Sequence, residues 1–258
     1  MTFSDREAKL STGTLPFKVG GNGRPILYLH SAGGVRLSQP LQRLAGKYCV
    51  YVPTFPGFDG SKTHDGVASM QALADLAAEF IGTQVTGSCD VIGHSFGGWV
   101  AMWLAARHPD KVDHLVLETP AGLIPEGKGG LSSDPEVLRR QLYAHPERMP
   151  PEKPIEIVRA NRAMLSHYHQ SDPHMDHDLV AQFDKIQCLT LVLAGASDSV
   201  IPADSGRLLK ARLPHSYLVY VHDAAHNIET DQPEFFNRVV GDFLTWGDGF
   251  LVKRQASA

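Results

Sequence analysis

The feature that most constrains the fold is the alternation of short, nearly continuous apolar runs with segments of helical periodicity. The apolar runs occupy residues 25–30, 48–53, 89–93, 113–118, 189–195 and 217–222. Strands buried on both faces of a parallel sheet have this composition. The helical patterns between and after them cover residues 69–85, 99–108, 203–213 and 233–246. The alternation predicts a doubly wound, mostly parallel α/β sheet. The stretch FKVGGNG (17–23) predicts an antiparallel hairpin that leads into it.

One long segment, residues 120–185, interrupts this alternation because it contains no run of strand type. It begins with the loop-rich stretch GKGGLSSDP and continues with helical patterns over 136–145 and 155–169. A connection of this length is too long for an ordinary link between two strands. We therefore expect a helical cap at 120–185, lying over one edge of the sheet, and a core formed by residues 1–119 and 186–258.

Composition excludes several classes of protein. The 258 residues are 43% hydrophobic and 20% charged, with a net charge of −4 and no basic block, which argues against a nucleic-acid or anionic-membrane partner. Three cysteines without C-x-x-C spacing, Cys49, Cys89 and Cys188, predict free thiols in a reducing compartment. Without a secretory signal or an apolar run of about 18 residues, the expected location is the cytoplasm.

The stretch VIGHSFGGWV (91–100) places Ser95 among glycines where a strand pattern changes to a helical pattern. Glycine weakens both strands and helices, so Gly93 and Gly97 require a geometric reason. A G-x-S-x-G nucleophile elbow supplies it, because small neighbours permit the sharp turn that exposes the serine hydroxyl. The N–H groups at the start of the following helix would then face a developing oxyanion.

A nucleophilic serine requires a base and a third group that orients the base. His226 lies in a loop after the last predicted strand, and Asp198 follows the strand pattern at 189–195, in the order Ser…Asp…His. Glu118 is a competing candidate for the acid because it ends the run at 113–118. Asp223 is too close to His226 along the chain to be the obvious orienting group.

With these motifs the chain resembles the α/β-hydrolase family over roughly residues 15–247. The motifs that match are GHSFGG, GASDSVIP and DAAHNIETDQPEFF, in the same order as in the family. The resemblance implies that Ser95 attacks an acyl carbon, His226 shuttles the proton, and Asp198 orients and stabilises the imidazolium.

The resemblance also implies an oxyanion hole formed by the backbone N–H groups of Phe96 and Ala32. Ala32 lies in the loop HSAGG (30–34), where related proteins commonly have His-Gly and this chain has serine at position 31. The turn FPGFDGS differs from the family as well, with Asp59 where glycine is usual. We interpret that turn as structural, and Asp59 at the mouth of the site as a possible functional residue.

Other histidines and aromatic residues have simpler interpretations. His30 and His94 flank the predicted pocket and are expected to have a positional rather than catalytic role. The histidine cluster at 166–177 suggests a metal, but ligands at i and i+2 do not share a helix face and no H-E-x-x-H motif is present. We therefore expect no metal and no cofactor. Trp99 and Trp103 are expected to pack under the sheet.

These observations predict a serine hydrolase that cleaves a small, mostly apolar ester or related acyl compound through an acyl-enzyme. One alternative on the same fold is a carbon–carbon bond hydrolase of the meta-cleavage-product type, which PGFDGS and the cap resemble. Those enzymes usually carry asparagine before the nucleophile and tryptophan after the histidine, where this chain has His94 and Asn227. Another is a ligand receptor that retains the triad. The expected partner is a small-molecule substrate, and the oligomeric state is left open.

Overall fold

The computed structural model describes residues 2–169 and 174–251, in which eight strands form one sheet in the order β1-β2-β4-β3-β5-β6-β7-β8. The strands are β1 (Ser4–Leu10), β2 (Gly13–Gly20), β3 (Arg24–Leu29), β4 (Tyr48–Pro53), β5 (Cys89–His94), β6 (Val112–Glu118), β7 (Leu189–Gly195) and β8 (Ser216–Val221). Strands β3 to β8 are parallel, and β1 and β2 are antiparallel to their neighbours. The predicted mostly parallel α/β sheet is confirmed.

Helices cover both faces of this sheet. They are α1 (Gln39–Leu44), α2 (Met70–Gln84), α3 (Phe96–Arg107), α4 (Pro135–Leu142), α5 (Ile155–Tyr168), α6 (His177–Val180), α7 (Ala203–Arg212), α8 (Ile228–Asp231) and α9 (Pro233–Trp246). Short 3₁₀ turns occupy Pro109–Lys111, Pro146–Arg148, Phe183–Lys185 and Gly247–Leu251. Helices α2, α3 and α7 pack on one face, and α1, α8 and α9 on the other. This is a doubly wound arrangement.

The antiparallel hairpin is present, but its position differs from the expectation. It is formed by β1 and β2, with the turn between Leu10 and Gly13, and β2 then pairs with β4 rather than with β3. The stretch 17–23 therefore ends β2 and links it to β3, instead of forming the hairpin. The glycines that suggested a turn adopt positive φ values in this link, 82° at Gly21 and 125° at Gly23.

Residues 120–185, here named the insert, connect β6 to β7. In the part of this segment that the structure describes, α4, α5 and α6 are present and no strand joins the sheet. Its side chains reach the loops that follow β3 and β4, with Tyr168 Oη donating to the Pro56 carbonyl at 2.7 Å and Asn161 Nδ2 donating to the Gly33 carbonyl at 3.2 Å. Because these loops leave the carboxyl ends of parallel strands, the insert lies on that edge of the sheet.

Two further expectations concern the whole chain. Cys49, Cys89 and Cys188 are free thiols. Within the residues that the structure describes, no helix combines the length and the apolar character that crossing a membrane requires.

Candidate active site

The turn between β5 and α3 carries Ser95 in a strained conformation. Its φ is 53° and its ψ is −113°, a combination that non-glycine residues rarely adopt. A Cβ atom at Gly97 would lie 2.0 Å from the carbonyl oxygen of Leu29, and one at Gly93 would lie 2.6 Å from the carbonyl oxygen of Gly97. Only glycine fits at these positions. The crowding of this turn therefore explains why the sequence has glycine two residues before and two residues after Ser95.

Three side chains that are distant in sequence meet at this turn. His226 Nε2 lies 2.9 Å from Ser95 Oγ, and His226 Nδ1 lies 2.9 Å from Asp198 Oδ2. The exposed fractions of Ser95, Asp198 and His226 are 8%, 7% and 4%. These hydrogen bonds allow a proton to pass from the hydroxyl to the imidazole while the carboxylate holds the opposite ring nitrogen.

Backbone groups fix the carboxylate of Asp198. Its Oδ1 accepts hydrogen bonds from the N–H groups of Val200 and Ile201 at 2.8 and 2.9 Å, which leaves Oδ2 for His226. The carboxylate is therefore held on both sides and has little freedom to turn away from the imidazole.

The backbone of His226 is also held in place. Its carbonyl oxygen accepts hydrogen bonds from His94 Nε2 at 3.1 Å and from Thr119 Oγ1 at 3.0 Å. Burial lowers the pKa of His94 to about 3, so the His94 ring is neutral at physiological pH. Thr119, which has a φ of 40°, was not identified from the sequence. The available signal was its position directly after β6, at the edge of the sheet where sites form in α/β proteins.

The competing acids do not reach the imidazole. Glu118 is fully buried, and its Oε1 accepts the N–H of Glu229 at 2.9 Å. Burial and the neighbouring Glu229 raise the pKa of Glu118 well above its ordinary value, which favours a neutral carboxyl group. Asp223 accepts instead from His145 Nε2 at 2.8 Å. The structure thus brings Asp198, and neither of these, to His226.

One group among the described residues has the proximity of metal ligands: His94, Glu118 and Glu229, whose candidate ligand atoms lie within 4.8 Å of one another. The protein already uses these groups internally. Glu229 accepts hydrogen bonds from Tyr28 Oη at 3.2 Å and Ser38 Oγ at 2.8 Å, and His94 Nε2 donates to the backbone. This donor set fits a buried hydrogen-bond network better than a metal site.

The residues predicted for the oxyanion hole lie in two separate elements. Phe96 is the first residue of α3, and the first hydrogen bond of that helix runs from the Trp99 N–H to the Ser95 carbonyl. The N–H of Phe96 therefore lies in the first helical turn, where backbone donors have no acceptor within the helix. Ala32 lies in the loop that follows β3.

The serine that replaces the expected glycine in the loop after β3 closes a tight turn. Its carbonyl oxygen accepts the N–H of Gly34 at 3.0 Å, and its Oγ accepts the N–H of Gly33 at 3.3 Å. Ser31 thus contributes two local hydrogen bonds to the loop that carries Ala32, one of them from a side chain that glycine lacks.

The two histidines expected beside the pocket are buried and bonded to backbone groups. His30 Nδ1 donates to the Ser31 carbonyl at 2.7 Å, and His30 Nε2 accepts the N–H of Phe55 at 3.0 Å. Burial lowers the pKa of His30 to about 4, which agrees with a neutral ring that both donates and accepts. His30 and His94 thus hold backbone in place, and their contribution to a pocket wall stays a prediction.

The tryptophans after the nucleophile have a role that the sequence did not reveal. Trp99 and Trp103 are buried beside the sheet as expected, but both indole N–H groups donate to Asp176 Oδ2 of the insert, at 2.7 and 2.8 Å. The ring of His169 also packs on Trp99 at 4.2 Å between centroids. Helix α3 therefore holds the insert through a shared carboxylate.

A second carboxylate connects the insert to the loop of His226. Asp231 is fully buried, and its oxygens accept the N–H groups of Ala144 and His145, both at 3.0 Å, and of Ala225 at 2.8 Å. Because Ala225 directly precedes His226, the same side chain binds the insert and the segment that carries the imidazole.

Comparison with known proteins shows the family to which the chain belongs. The family model described as the alpha/beta hydrolase family matches residues 21–239. The chain belongs to the alpha/beta hydrolase family. The resemblance noted in the sequence and the prediction of a hydrolase are confirmed.

Individual relatives of the chain are named for different substrates. The chain is 28% identical to a 2-hydroxymuconate semialdehyde hydrolase of Pseudomonas putida, covering 88% of this chain and 89% of the relative. It is 25% identical to a pimeloyl-[acyl-carrier protein] methyl ester esterase of Chromobacterium violaceum, covering 87% and 95%. A serine hydrolase of Cycloclasticus zankles shares the fold, with a TM-score of 0.81 at 18% identity, covering 98% and 100% of the two chains.

Proposed function

We propose that the protein is a cofactor-independent serine hydrolase that cleaves a small, mostly apolar ester or related acyl compound through an acyl-enzyme. The observation that supports this most directly is the pair of 2.9 Å hydrogen bonds that connect Ser95 Oγ, His226 and Asp198 at the nucleophile elbow. A serine hydroxyl becomes a competent nucleophile when an oriented imidazole accepts its proton.

The reaction has two halves. Ser95 Oγ bonds to the carbonyl carbon while its proton passes to His226 Nε2, and the leaving oxygen then takes that proton as its bond to the acyl carbon breaks. Water then loses a proton to His226 and attacks the acyl-enzyme, which releases the acid and restores the serine. Asp198 stabilises the imidazolium in both halves. The N–H groups of Phe96 and Ala32 stabilise the oxyanion, and each such donor contributes a factor of about 10²–10³.

The apolar character of the substrate is supported by the aromatic residues around the residue after the nucleophile. The ring centroid of Phe96 lies 5.9 Å from that of Phe55 and 5.4 Å from that of Phe58. All three rings are buried. These rings belong to the apolar core around the predicted oxyanion donor, and we base on them the proposal that the substrate carries little charge near this point.

A carbon–carbon bond hydrolase remains the second candidate, because one relative with 28% identity is named 2-hydroxymuconate semialdehyde hydrolase. The residue at position 94 favours ester hydrolysis over carbon–carbon bond hydrolysis. Where carbon–carbon bond hydrolases of the meta-cleavage-product type usually have asparagine, this chain has His94, whose Nε2 donates to the His226 backbone.

A cytoplasmic location is part of the same proposal. Three free thiols, at Cys49, Cys89 and Cys188, support a reducing compartment, since cysteines in oxidising compartments are usually paired. Fractionation of the native host with an antibody to the protein tests this directly.

The test compares wild type and Ser95→Ala on p-nitrophenyl esters of increasing acyl length and on a vinylogous 1,5-diketo acid. We expect wild type to prefer a short ester and Ser95→Ala to lose about 10⁴-fold or more in kcat. Unchanged hydrolysis by Ser95→Ala contradicts the proposal. Preference for the diketo acid favours carbon–carbon cleavage, and fluorophosphonate labelling of Ser95 without turnover of any substrate favours a receptor.

Two matched variants test the choice of acid. Asp198→Asn preserves the shape of the side chain but removes the charge that orients the imidazole, and we expect kcat to fall by about 10²–10⁴. Glu118→Gln removes the other candidate carboxyl, and we expect kcat to stay within about threefold because Glu118 does not contact His226. The reverse order of effects would assign the acid to Glu118.

A further inference from the structure

The turn after β4 contains a cluster of three polar side chains that the sequence did not predict. Asp59 Oδ1 accepts hydrogen bonds from Lys153 Nζ at 2.6 Å and from Asn161 Nδ2 at 2.9 Å. The N–H of Asp59 in turn donates to Asn161 Oδ1 at 2.8 Å. Lys153 and Asn161 belong to the insert, whereas Asp59 belongs to the core. We call these three residues the Asp59 cluster.

The Asp59 cluster also holds the loop that carries Ala32. Lys153 Nζ and Asn161 Nδ2 both donate to the Gly33 carbonyl, at 2.9 and 3.2 Å. Asp59 Oδ2 accepts the N–H of Val35 at 2.7 Å. The Asp59 cluster thus binds Gly33, which directly follows Ala32, and Val35, which lies three positions after Ala32.

The hydrogen bonds of Asn161 are buried. Asn161 is 1% exposed, on a helix whose only other fully buried side chain is Tyr168. A buried amide without partners is unfavourable, so its three hydrogen bonds fix where α5 docks. Burial acts to raise the pKa of Asp59, but the hydrogen bonds from Asn161 and Lys153 lower it below its ordinary value, so the carboxylate stays ionised.

We propose that Lys153 and Asn161 are positioning residues which, through Asp59 and Gly33, hold the loop after β3 so that the Ala32 N–H faces the oxyanion. The second donor of the oxyanion hole is then complete only while the insert is docked. This inference rests on the proposed serine-hydrolase function. It assigns a catalytic consequence to Asp59, the residue that departs from the glycine usual in the family.

The location of the cluster predicts which kinetic constant changes. Its contacts go to the loop of Ala32 and to neither Ser95 nor His226. Loss of these contacts therefore displaces the Ala32 N–H, which acts in the transition state. Tyr168 provides the comparison, because its hydroxyl docks the same helix by donating to the Pro56 carbonyl and makes no hydrogen bond to the loop. A general loosening of α5 would affect Tyr168 and Asn161 variants alike.

The experiment measures kcat, KM and the affinity for a boronic acid that forms a tetrahedral serine adduct, in wild type, Asn161→Ala, Lys153→Met and Tyr168→Phe. Because the donor is displaced rather than removed, we expect Asn161→Ala and Lys153→Met to lose about 10-fold in kcat. Boronate affinity should fall by the same factor, with KM within about twofold. Tyr168→Phe should retain wild-type kcat. The proposal is overturned if Tyr168→Phe loses as much kcat as Asn161→Ala and Lys153→Met. It is also overturned if those two variants have a raised KM and an unchanged kcat.

Hydrogen exchange of the peptide that contains residues 31–35 provides a readout that needs no catalysis. Exchange should be faster in Asn161→Ala than in wild type and unchanged in Tyr168→Phe. Unchanged exchange in Asn161→Ala overturns the proposal, and so does faster exchange with unchanged kcat. If wild type shows no turnover that depends on Ser95, the proposed function fails and exchange alone decides whether the cluster holds the loop. Should Asn161→Ala not fold, Asp59→Gly suits the φ of 52° and removes the contacts of the carboxylate with Val35, Lys153 and Asn161.

Discussion

The sheet core and the helices α4 and α5 of the insert differ in the kinds of contact that hold them in place. In the core, apolar side chains pack on both faces of the sheet, and α3 buries every residue from Phe96 to Ala106. In the insert, α4 buries no residue and α5 buries only Asn161 and Tyr168, both of which are hydrogen-bonded to the core. The core is therefore stabilised mainly by apolar burial, whereas α4 and α5 are docked mainly by directional polar contacts. Elsewhere in the insert, Leu123, Leu179 and Phe183 join the apolar core.

The polar contacts between the insert and the core lie close to the candidate active site. Three of the carboxylates that connect the insert to the core lie next to a segment with a predicted catalytic group: Asp59 beside the loop of Ala32, Asp176 bound to α3, and Asp231 beside His226. Hydrogen bonds lose strength steeply with misalignment, whereas apolar burial does not. These polar contacts thus specify the position of the insert at the site, in addition to the apolar packing of Leu123, Leu179 and Phe183.

The largest effect that sharpens the comparison is expected from matched leucine substitutions. Leu193 in β7 is fully buried, and Leu131 in the insert is 39% exposed. Leu193→Ala should lower the free energy of unfolding by about 2–5 kcal/mol because it leaves a cavity in the core. Leu131→Ala should change it by less than about 0.5 kcal/mol. Urea denaturation of both variants measures this, and equal losses would contradict the distinction.

The core also contains a buried pair of carboxyl groups, Glu118 and Glu229, whose protonation can be tested by pH. Burial raises the pKa of Glu229 from 4.5 to about 7 and raises that of Glu118 as well. Since the folded state holds these protons more tightly, their contribution to stability is complete below pH 4.5 and is lost as pH rises through about 7.

Glu118→Gln isolates this contribution, because glutamine keeps the acceptor for the Glu229 N–H and has no proton to lose. We expect the variant to be more stable than wild type at pH 8, by about 1–3 kcal/mol, with a smaller difference at pH 5. The free energy of unfolding measured from pH 5 to pH 8 decides this. Parallel curves for the two proteins would show that Glu118 is not held in its neutral form.

The smallest effect concerns the contact between α3 and the insert. Trp103→Phe removes one of the two indole hydrogen bonds to Asp176 and leaves that of Trp99. We expect the free energy of local opening near residues 174–180 to fall by about 1 kcal/mol, and the loss in global stability from the smaller ring to stay below that of Leu193→Ala. Hydrogen exchange of that peptide gives the value. A loss in global stability as large as that of Leu193→Ala would place the insert in the same cooperative unit as the core.

Much of the candidate site could be predicted because its signals are local. The glycines around Ser95 follow from the crowding of one turn, and Asp198 and His226 each follow a strand pattern of their own. Thr119 and Asn161 could not be predicted in this way. Thr119 bonds His226 across 107 residues of sequence, and Asn161 bonds Gly33 across 128. Neither residue type nor spacing distinguishes them from ordinary polar residues.

The sequence by itself determined the alternation of the parallel strands with helices and the three residues of the predicted relay, because apolar periodicity and steric limits at a turn act over a few neighbouring residues. Only the tertiary structure decided that β2 pairs with β4, that Trp99 and Trp103 bind Asp176, and that the Asp59 cluster reaches the loop of Ala32. A hydrogen bond between distant segments depends on the geometry of both, and that geometry exists only once the sheet has assembled.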